Sequence, residues 1–160
     1  GNIGTGGGSA LQLTSLATGV GAIGNQTLPV PRGGVAHLNP VAKYLVTPPG
    51  LNITARGLAV DVKVGDDSDL VVRSESRLGT AGVIDPLADD IVTGTATNWL
   101  LAAPSEQAPS VFVGTLDGAT LPSIRINDLK LGSWGVQIDV VFSVGVMAVD
   151  GRGLYWATGA

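Results

Sequence analysis

The last twenty residues, 141–160, read VFSVGVMAVDGRGLYWATGA and contain only two charged side chains, Asp150 and Arg152. So apolar a stretch must pack against something, and this requirement constrains the fold more than any other feature. A membrane helix needs about 20 consecutive apolar residues, whereas glycine and serine interrupt this stretch and its β-branched residues favour strands. The sequence therefore predicts strands that are buried in a core or in an interface.

The composition of the whole chain supports an interface. Of its 160 residues, 44% are hydrophobic and only 14% are charged, against about 25% charged in an ordinary soluble domain. A chain of this length is expected to form one domain that buries roughly 68–70% of its unfolded surface. Because so few charges cannot coat an isolated globule, we expect extensive protein–protein contacts and no membrane partner.

Charge and cysteine content exclude several classes of function. The net charge is −4, and all 13 acidic residues lie from Asp61 onward. Lys and Arg form no cluster, so binding to a nucleic-acid backbone has no electrostatic footprint. The chain has no cysteine, which excludes disulfides, thiolate catalysis and zinc–thiolate sites.

Hydrophobic periodicity predicts a first helix from Thr14, with Thr14 or Ser15 as its N-cap. Its apolar residues recur at helical spacing: Leu16, Ala17, Val20 and Ile23. The glycines at 19, 21 and 24 weaken this helix by about 1 kcal/mol each relative to alanine.

A strand at 43–46 is predicted to lead into a second helix near 50–60. Thr47 is placed to cap that helix, and Pro48 lies where a first-turn proline is tolerated. One apolar face is expected on this helix, formed by Leu51, Ala55, Leu58 and Ala59.

Short strand candidates separated by turn signals fill the remainder: 70–73, 81–85, 98–103, 110–116, 122–126, 134–142 and 144–149. Asp-Gly at 117–118 and at 150–151 signals two hairpins. Residues 29–34 are expected to form a turn or loop, and the Gly-rich residues 1–9 a flexible entry or a cut end. Helices early and strands late indicate an α+β fold.

No motif supports catalysis or a cofactor. GVGAIG at 19–24 has dinucleotide-type glycine spacing but lacks a preceding strand and a following acid. GTGGGS at 4–9 lacks the lysine of a phosphate loop, and His37, the sole histidine, has no nucleophile motif to serve. We therefore predict that the protein is not an enzyme and holds no cofactor.

Two acidic stretches offer oxygen ligands, GDDSD at 65–69 and DPLADD at 85–90. Neither has the alternating acids, central glycine and distal glutamate of a calcium loop. The favoured interpretation is a pair of solvated turns, with incidental cation binding as the alternative.

Four stretches in order carry a family resemblance: 11–27 (LQLTSLATGVGAIGNQT), 38–58 (LNPVAKYLVTPPGLNITARGL), 98–124 (NWLLAAPSEQAPSVFVGTLDGATLPSI) and the closing 140–160. The closing stretch matches Gly-Val-x-x-Val-Asp-x-Arg-Gly-Leu-Tyr from Gly145 to Tyr155. Together the four resemble the C-terminal portion of tailed-bacteriophage major capsid proteins, of the kind associated with a prohead protease.

This resemblance implies a Hong Kong 97-type fold with an axial-type and a peripheral-type subdomain. On that basis residues 1–37 would be a Gly-rich entry plus the end of the peripheral spine helix. Residues 38–130 would form mainly the axial-type subdomain, and the strands of 131–160 would return to the peripheral one. Relatives carry an N-terminal arm, an extended loop and half a peripheral domain before the spine helix, so we expect a fragment or a processed product.

The function implied by the resemblance is structural. The chain would be a major head subunit that self-assembles into pentamers and hexamers of an icosahedral shell enclosing DNA, formed in the bacterial host cytoplasm. Further partners would be the protease, portal and decoration proteins, and contact with packaged DNA would be weak and sequence-independent. The alternative is a head-decoration or tail-associated β-rich module that trimerises on a preformed shell.

Six residues are candidates for contacts in such an assembly: Trp99, Trp134, Asp150, Arg152, Tyr155 and Trp156. The tryptophans are expected to be core or interface anchors. Asp150 and Arg152, two apart on a strand, would point to the same side and pair with each other or across subunits.

Overall fold

The computed structural model describes residues 2–30, 33–64, 68–80, 82–85, 90–118, 120–128 and 134–159. Within these ranges the chain has two α-helices, α1 (Leu13–Gly24) and α2 (Asn52–Asp61). Its strands are β1 (Ile3–Gly4), β2 (Thr27–Val30), β3 (Gly34–His37), β4 (Tyr44–Thr47), β5 (Lys63–Val64), β6 (Ser68–Asp69), β7 (Val71–Ser74), β8 (Val83–Asp85), β9 (Asp90–Val92), β10 (Trp99–Ala102), β11 (Val111–Thr115), β12 (Ser123–Asp128), β13 (Val136–Val141), β14 (Val144–Ala148) and β15 (Leu154–Ala157). This mixed, strand-rich content confirms the predicted α+β class.

The chain folds into two compact units. The sheet unit comprises Gly1–Ser110 and Asp150–Ala160, and the ribbon unit comprises Val111–Val149. The assignment of segments to axial-type and peripheral-type subdomains stays a prediction.

The sheet unit is built on a five-stranded mixed sheet in the order β1-β15-β10-β4-β7. β10 runs antiparallel to both of its neighbours, whereas β1 and β7 at the two edges run parallel to theirs. Parallel neighbours need a crossover connection, and α2 lies on the one between β4 and β7.

One face of this sheet carries the core. Alternating residues of its three inner strands are buried there: Leu45, Thr47, Trp99, Leu101, Tyr155 and Ala157. α1 contacts β15, and α2 contacts β4 and β7. The helices bury Leu16 and Ile23 from α1 and Ala55 from α2 in the same cluster.

Gly19 sets how closely α1 approaches the sheet. The predicted apolar face is confirmed for Leu16, Val20 and Ile23, but Ala17 is exposed and Gly19 is buried in its place. A Cβ atom at Gly19 would lie 2.8 Å from Tyr155 Cδ1 and 2.9 Å from Leu101 Cδ1. This glycine therefore permits close packing as well as lowering helix propensity.

The predicted helix caps are wrong. The N-cap of α1 is Gln12, and the Ser15 hydroxyl in the first turn accepts a hydrogen bond from the Gln12 amide at 3.1 Å. Thr47 belongs to β4, and a 3₁₀ turn at Pro49–Leu51 separates that strand from α2. The apolar face predicted for α2 is confirmed for Ala55, Leu58 and Ala59, with Ala55 fully buried, whereas Leu51 belongs to the 3₁₀ turn.

The prediction of a flexible entry at residues 1–9 is also wrong. β1 extends the sheet, with Ile3 opposite Trp156. The Trp156 amide donates to the Asn2 carbonyl at 2.9 Å, and the Trp99 indole N–H donates to the Ser9 carbonyl at 2.8 Å.

Each predicted strand segment contains a strand, but the pairing differs from the prediction. In the ribbon unit β11 pairs with β14 and β12 with β13, all antiparallel. Asp117 and Gly118 both have positive φ, yet they connect β11 to β12, which are not partners. Asp150 and Gly151 likewise connect β14 to β15 of a different sheet, so neither Asp-Gly forms a hairpin.

Three short hairpins were not predicted: β2–β3, β5–β6 and β8–β9. The first includes Pro29 and Gly34, which the sequence placed in a turn or loop. Their strands have two to four residues, too few to produce a periodic signal.

We expect Gly19→Ala to lower the free energy of unfolding by about 1–3 kcal/mol, because overpacking against Tyr155 and Leu101 exceeds the gain in helix propensity. Gly21→Ala is the matched control, since a Cβ there meets nothing within 4 Å. It should stabilise the helix by up to about 1 kcal/mol. Denaturant unfolding followed by circular dichroism measures both; equal stabilisation by the two variants would contradict the close packing.

Thr47→Val should raise the free energy of unfolding by about 1 kcal/mol. The Thr47 hydroxyl is fully buried and has no hydrogen-bond partner among the described residues, and an unpaired buried hydroxyl is destabilising. Thr18→Val is the control, because its exposed hydroxyl donates to the Thr14 carbonyl and its loss should change stability by about 0.5 kcal/mol or less. Destabilisation by Thr47→Val in the same unfolding assay would refute this.

Candidate assembly surfaces

The ribbon formed by β12 and β13, here the amphipathic ribbon, has two faces of opposite character. In an antiparallel pair, residues directly opposite each other share a face. The register places Ile124 opposite Val140 and Ile126 opposite Ile138. With Val136 these side chains form an apolar face, and each of the five is 59–71% exposed. The register places one charged residue, Asp128, at the end of this face, opposite Val136.

The other face of the amphipathic ribbon is polar. Arg125 lies opposite Asp139 and Asn127 opposite Gln137. The Asp139 carboxylate accepts hydrogen bonds from the Asn127 amide at 2.7 Å and from the Gln137 amide at 2.9 Å. Asn127, Gln137 and Asp139 are thus hydrogen-bonded to one another, and Val141, opposite Ser123, is the apolar residue of this face. Its mainly polar character suits the face to water.

The second ribbon, β11 with β14, is apolar on both sides and is here called the apolar ribbon. Its strands contain no charged residue. One face carries Val111, Val113 and Val146, and the other carries Phe112 opposite Met147. All five side chains are at least 56% exposed.

The exposed apolar surface of the ribbon unit is large enough for an interface. It holds 17 of the 27 large hydrophobic side chains that are exposed in the described chain. Burial of one such side chain removes roughly 60–120 Å² from water, so the unit presents on the order of 1,000 Å². This total is spread over both faces of the two ribbons and their connections, and it is comparable to the roughly 800 Å² that each partner buries in a standard interface.

A second apolar surface lies on the sheet unit, on the face of the sheet opposite the core. A row of side chains crosses it from Ile3 through Trp156 and Leu100 to Val46. Trp156 and Leu100 are half-buried, and they line a groove of about 510 Å³ together with Ile3 and Leu154.

Asp150 and Arg152 form an ion pair at the edge of this groove. Arg152 Nη2 lies 2.6 Å from Asp150 Oδ2, and the Arg152 amide donates to Asp150 Oδ1 at 2.9 Å. The side-chain hydrogen bond from Arg152 is the main cause that lowers the pKa of Asp150. The pair lies in the turn before β15, so the prediction that both residues lie on a strand is wrong. Of the two predicted pairings, with each other or across subunits, the structure contains the first.

The structure separates the aromatic candidates. Trp99 is fully buried and Tyr155 is 6% exposed, with ring centroids 5.6 Å apart. Trp134 is fully exposed in the ribbon unit, and Trp156 is half-buried on the open sheet face. Of these four aromatic residues, only Trp134 and Trp156 retain substantial accessible surface.

Other chemistry predicted or weighed from the sequence has little support in the described residues. GVGAIG lies within α1, and His37 is exposed on β3. Residues 65–67 and 86–89 of the two acidic stretches lie outside the described ranges, and no group of side chains suited to a metal ion occurs within them. No helix in the described part of the chain is long and apolar enough to cross a membrane.

Comparison with known proteins identifies the family. A sequence model of a protein family, described as "Phage capsid protein", matches residues 1–157. The chain belongs to the phage capsid protein family. No curated protein and no solved structure matches the chain.

Membership gives the exposed apolar surfaces a physical explanation. The capsid chain is a structural protein of the bacteriophage virion, and capsid proteins assemble with other capsid subunits. A structural role agrees with the prediction that the protein is not an enzyme. Surfaces left apolar in one subunit are those expected to be covered in the assembled particle.

The apolar faces of the two ribbons were not predicted from the sequence, which pointed to six single residues instead. The alternation of apolar and polar residues at 123–128 and 136–141 was a usable signal, since it marks a strand with one face to water. The pairing of these two segments, which sums their apolar faces into one surface, was not evident from the sequence.

In the Asp150→Asn variant of the capsid chain, the free energy of unfolding should decrease less steeply as the pH is lowered. Because the pKa of Asp150 is lowered in the folded state, its ion pair stabilises the fold above the ordinary carboxyl value of 3.8. That stability is lost as pH falls through the lower folded pKa. Urea unfolding between about pH 2 and 7 measures the slope, with Glu106→Gln at an exposed turn as the control; identical profiles for Asp150→Asn and the unsubstituted chain would contradict the stabilising pair.

Proposed function

We propose that this chain is a major head subunit with a Hong Kong 97-type fold that self-assembles into the pentamers and hexamers of an icosahedral phage shell. The observation that carries the proposal is the exposed apolar ribbon unit in a chain of the phage capsid family. Ring assembly needs surfaces that remain apolar until a neighbour covers them, and obligate interfaces resemble a domain core cut in half.

The finer parts of the proposal follow from the sequence resemblance. They include association with a prohead protease, with portal and decoration proteins as further partners, and assembly in the host cytoplasm around DNA. They also include the division into residues 1–37, 38–130 and 131–160. Weak, sequence-independent contact with DNA is consistent with a net charge of −4 and scattered basic residues.

We assign different roles to the six candidate residues. Trp134, Trp156 and the Asp150–Arg152 pair are proposed to contact neighbouring subunits, because each retains exposed surface. Trp99 and Tyr155 act indirectly by fixing the sheet that presents Trp156 and the Asp150–Arg152 pair. No observation on the described residues favours the alternative of a trimeric decoration module.

Light scattering combined with negative-stain microscopy tests the proposal. We expect the purified chain to form five- and six-membered rings or hollow shells as its concentration rises, because apolar association scales with concentration. The matched control is the same chain in moderate urea, which weakens apolar contacts and should release subunits first. A monomer at all concentrations would contradict self-assembly, and a discrete trimer would favour the decoration module.

A further inference from the structure

We infer that the apolar face of the amphipathic ribbon packs against the same face on a second copy of this chain, forming a two-layer β-structure between subunits. This face consists of Ile124, Ile126, Val136, Ile138 and Val140. The inference rests on the proposed function in one respect only, that copies of the chain assemble with each other.

The amphipathic ribbon needs a covering layer to be stable. A two-stranded ribbon alone in water is marginally stable at best, and it gains stability when its apolar face packs on another layer. Ile126 and Ile138, at its centre, are 71% and 61% exposed. On the opposite face Asn127 and Gln137 both donate hydrogen bonds to Asp139, so a partner belongs on the apolar side.

The distribution of charge favours an identical face as the partner. Arg125 and Asp139 lie on the polar face, and Asp128, the one charged residue in register with the apolar face, stands at its end opposite Val136. The centre of the face, where Ile124 and Ile126 lie opposite Val140 and Ile138, carries no charge. Two such faces can therefore meet about a twofold axis through this centre without bringing Arg125 or Asp139 into the contact. The groove on the sheet unit is a poorer partner, because Leu100 and Trp156 are already half-buried there and the Asp150–Arg152 pair lies at its edge. Packing of two identical ribbon faces therefore removes more apolar surface from water than packing of one ribbon face into this groove.

A twofold contact of this kind is isologous, meaning that the same patch is used by both subunits. Packed sheets lie about 10 Å apart with their inner side chains interdigitated. Such a contact closes on itself and joins subunits in pairs, so it would link rings and would leave the contacts that close each ring to other surfaces.

The first test compares a charge on each face of β12. Ile126→Lys places an ammonium group in the proposed contact, and Ser123→Lys places the same group on the polar face. We expect Ile126→Lys to raise the midpoint concentration of association by at least about tenfold, with Ser123→Lys close to the unsubstituted chain. Since Ile126 is already exposed, thermal unfolding of both variants should match; the milder Ile126→Ser is measured in parallel in case the lysine perturbs folding.

The second test uses chemical cross-linking. The chain has no cysteine, so single variants Ile126→Cys and Ser123→Cys each provide one thiol. Facing strands about 10 Å apart are too distant for a disulfide, so a short bis-maleimide is the probe. We expect covalent dimers from Ile126→Cys and at least about tenfold fewer from Ser123→Cys.

A third arm addresses the other possible occupant of the face. In mixtures of Ile126→Cys with Leu100→Cys chains, a 126–100 cross-link without any 126–126 cross-link would overturn the inference and place the ribbon on a neighbour's sheet. Assembly of Ile126→Lys at the same concentration as Ser123→Lys would also overturn it, while leaving the proposed function intact. Failure of the unsubstituted chain to associate would overturn both.

Discussion

The sheet unit depends on the burial of Trp99. This residue is the largest fully buried side chain, and it lies on β10, the middle strand of the five. Its ring packs beside Tyr155 on β15, and its indole N–H donates to the Ser9 carbonyl. Because a buried indole N–H needs an acceptor, the glycine-rich N-terminal segment is held against the core. β1 can then join the far end of the chain in one sheet, and Gly19 lets α1 lie directly on Tyr155.

The ribbon unit follows a different rule. Its strands form complete backbone hydrogen-bond ladders, but most of their apolar side chains remain exposed to water. In an isolated globular protein this would be an aggregation liability. In the capsid chain we propose that the same surface supplies association energy, and the polar face around Asp139 limits which side of the amphipathic ribbon is available for it.

Sequence reasoning succeeded where the signal is local. Alternation located the strands, because the period of two is a property of a few neighbouring residues. It failed at pairing: Asp117 and Gly118 adopt the positive φ that a tight turn requires, but they turn the chain between strands that bind other partners. Thr47 fails for a related reason. Its residue type favours a cap, but β4 extends through it to pair with β7, and its hydroxyl is buried in the sheet.

The sequence by itself determined the class of this protein. Few charges, abundant β-branched residues and no catalytic motif indicate a strand-rich chain that functions through contacts. Which apolar residues form the core and which stay exposed became clear only from the tertiary structure. Trp99 and Trp134 are the same residue type in strand-like surroundings, yet the first is fully buried and the second fully exposed. The physical reason is that burial depends on which distant segments pair and which face a helix covers, and no local pattern carries that information.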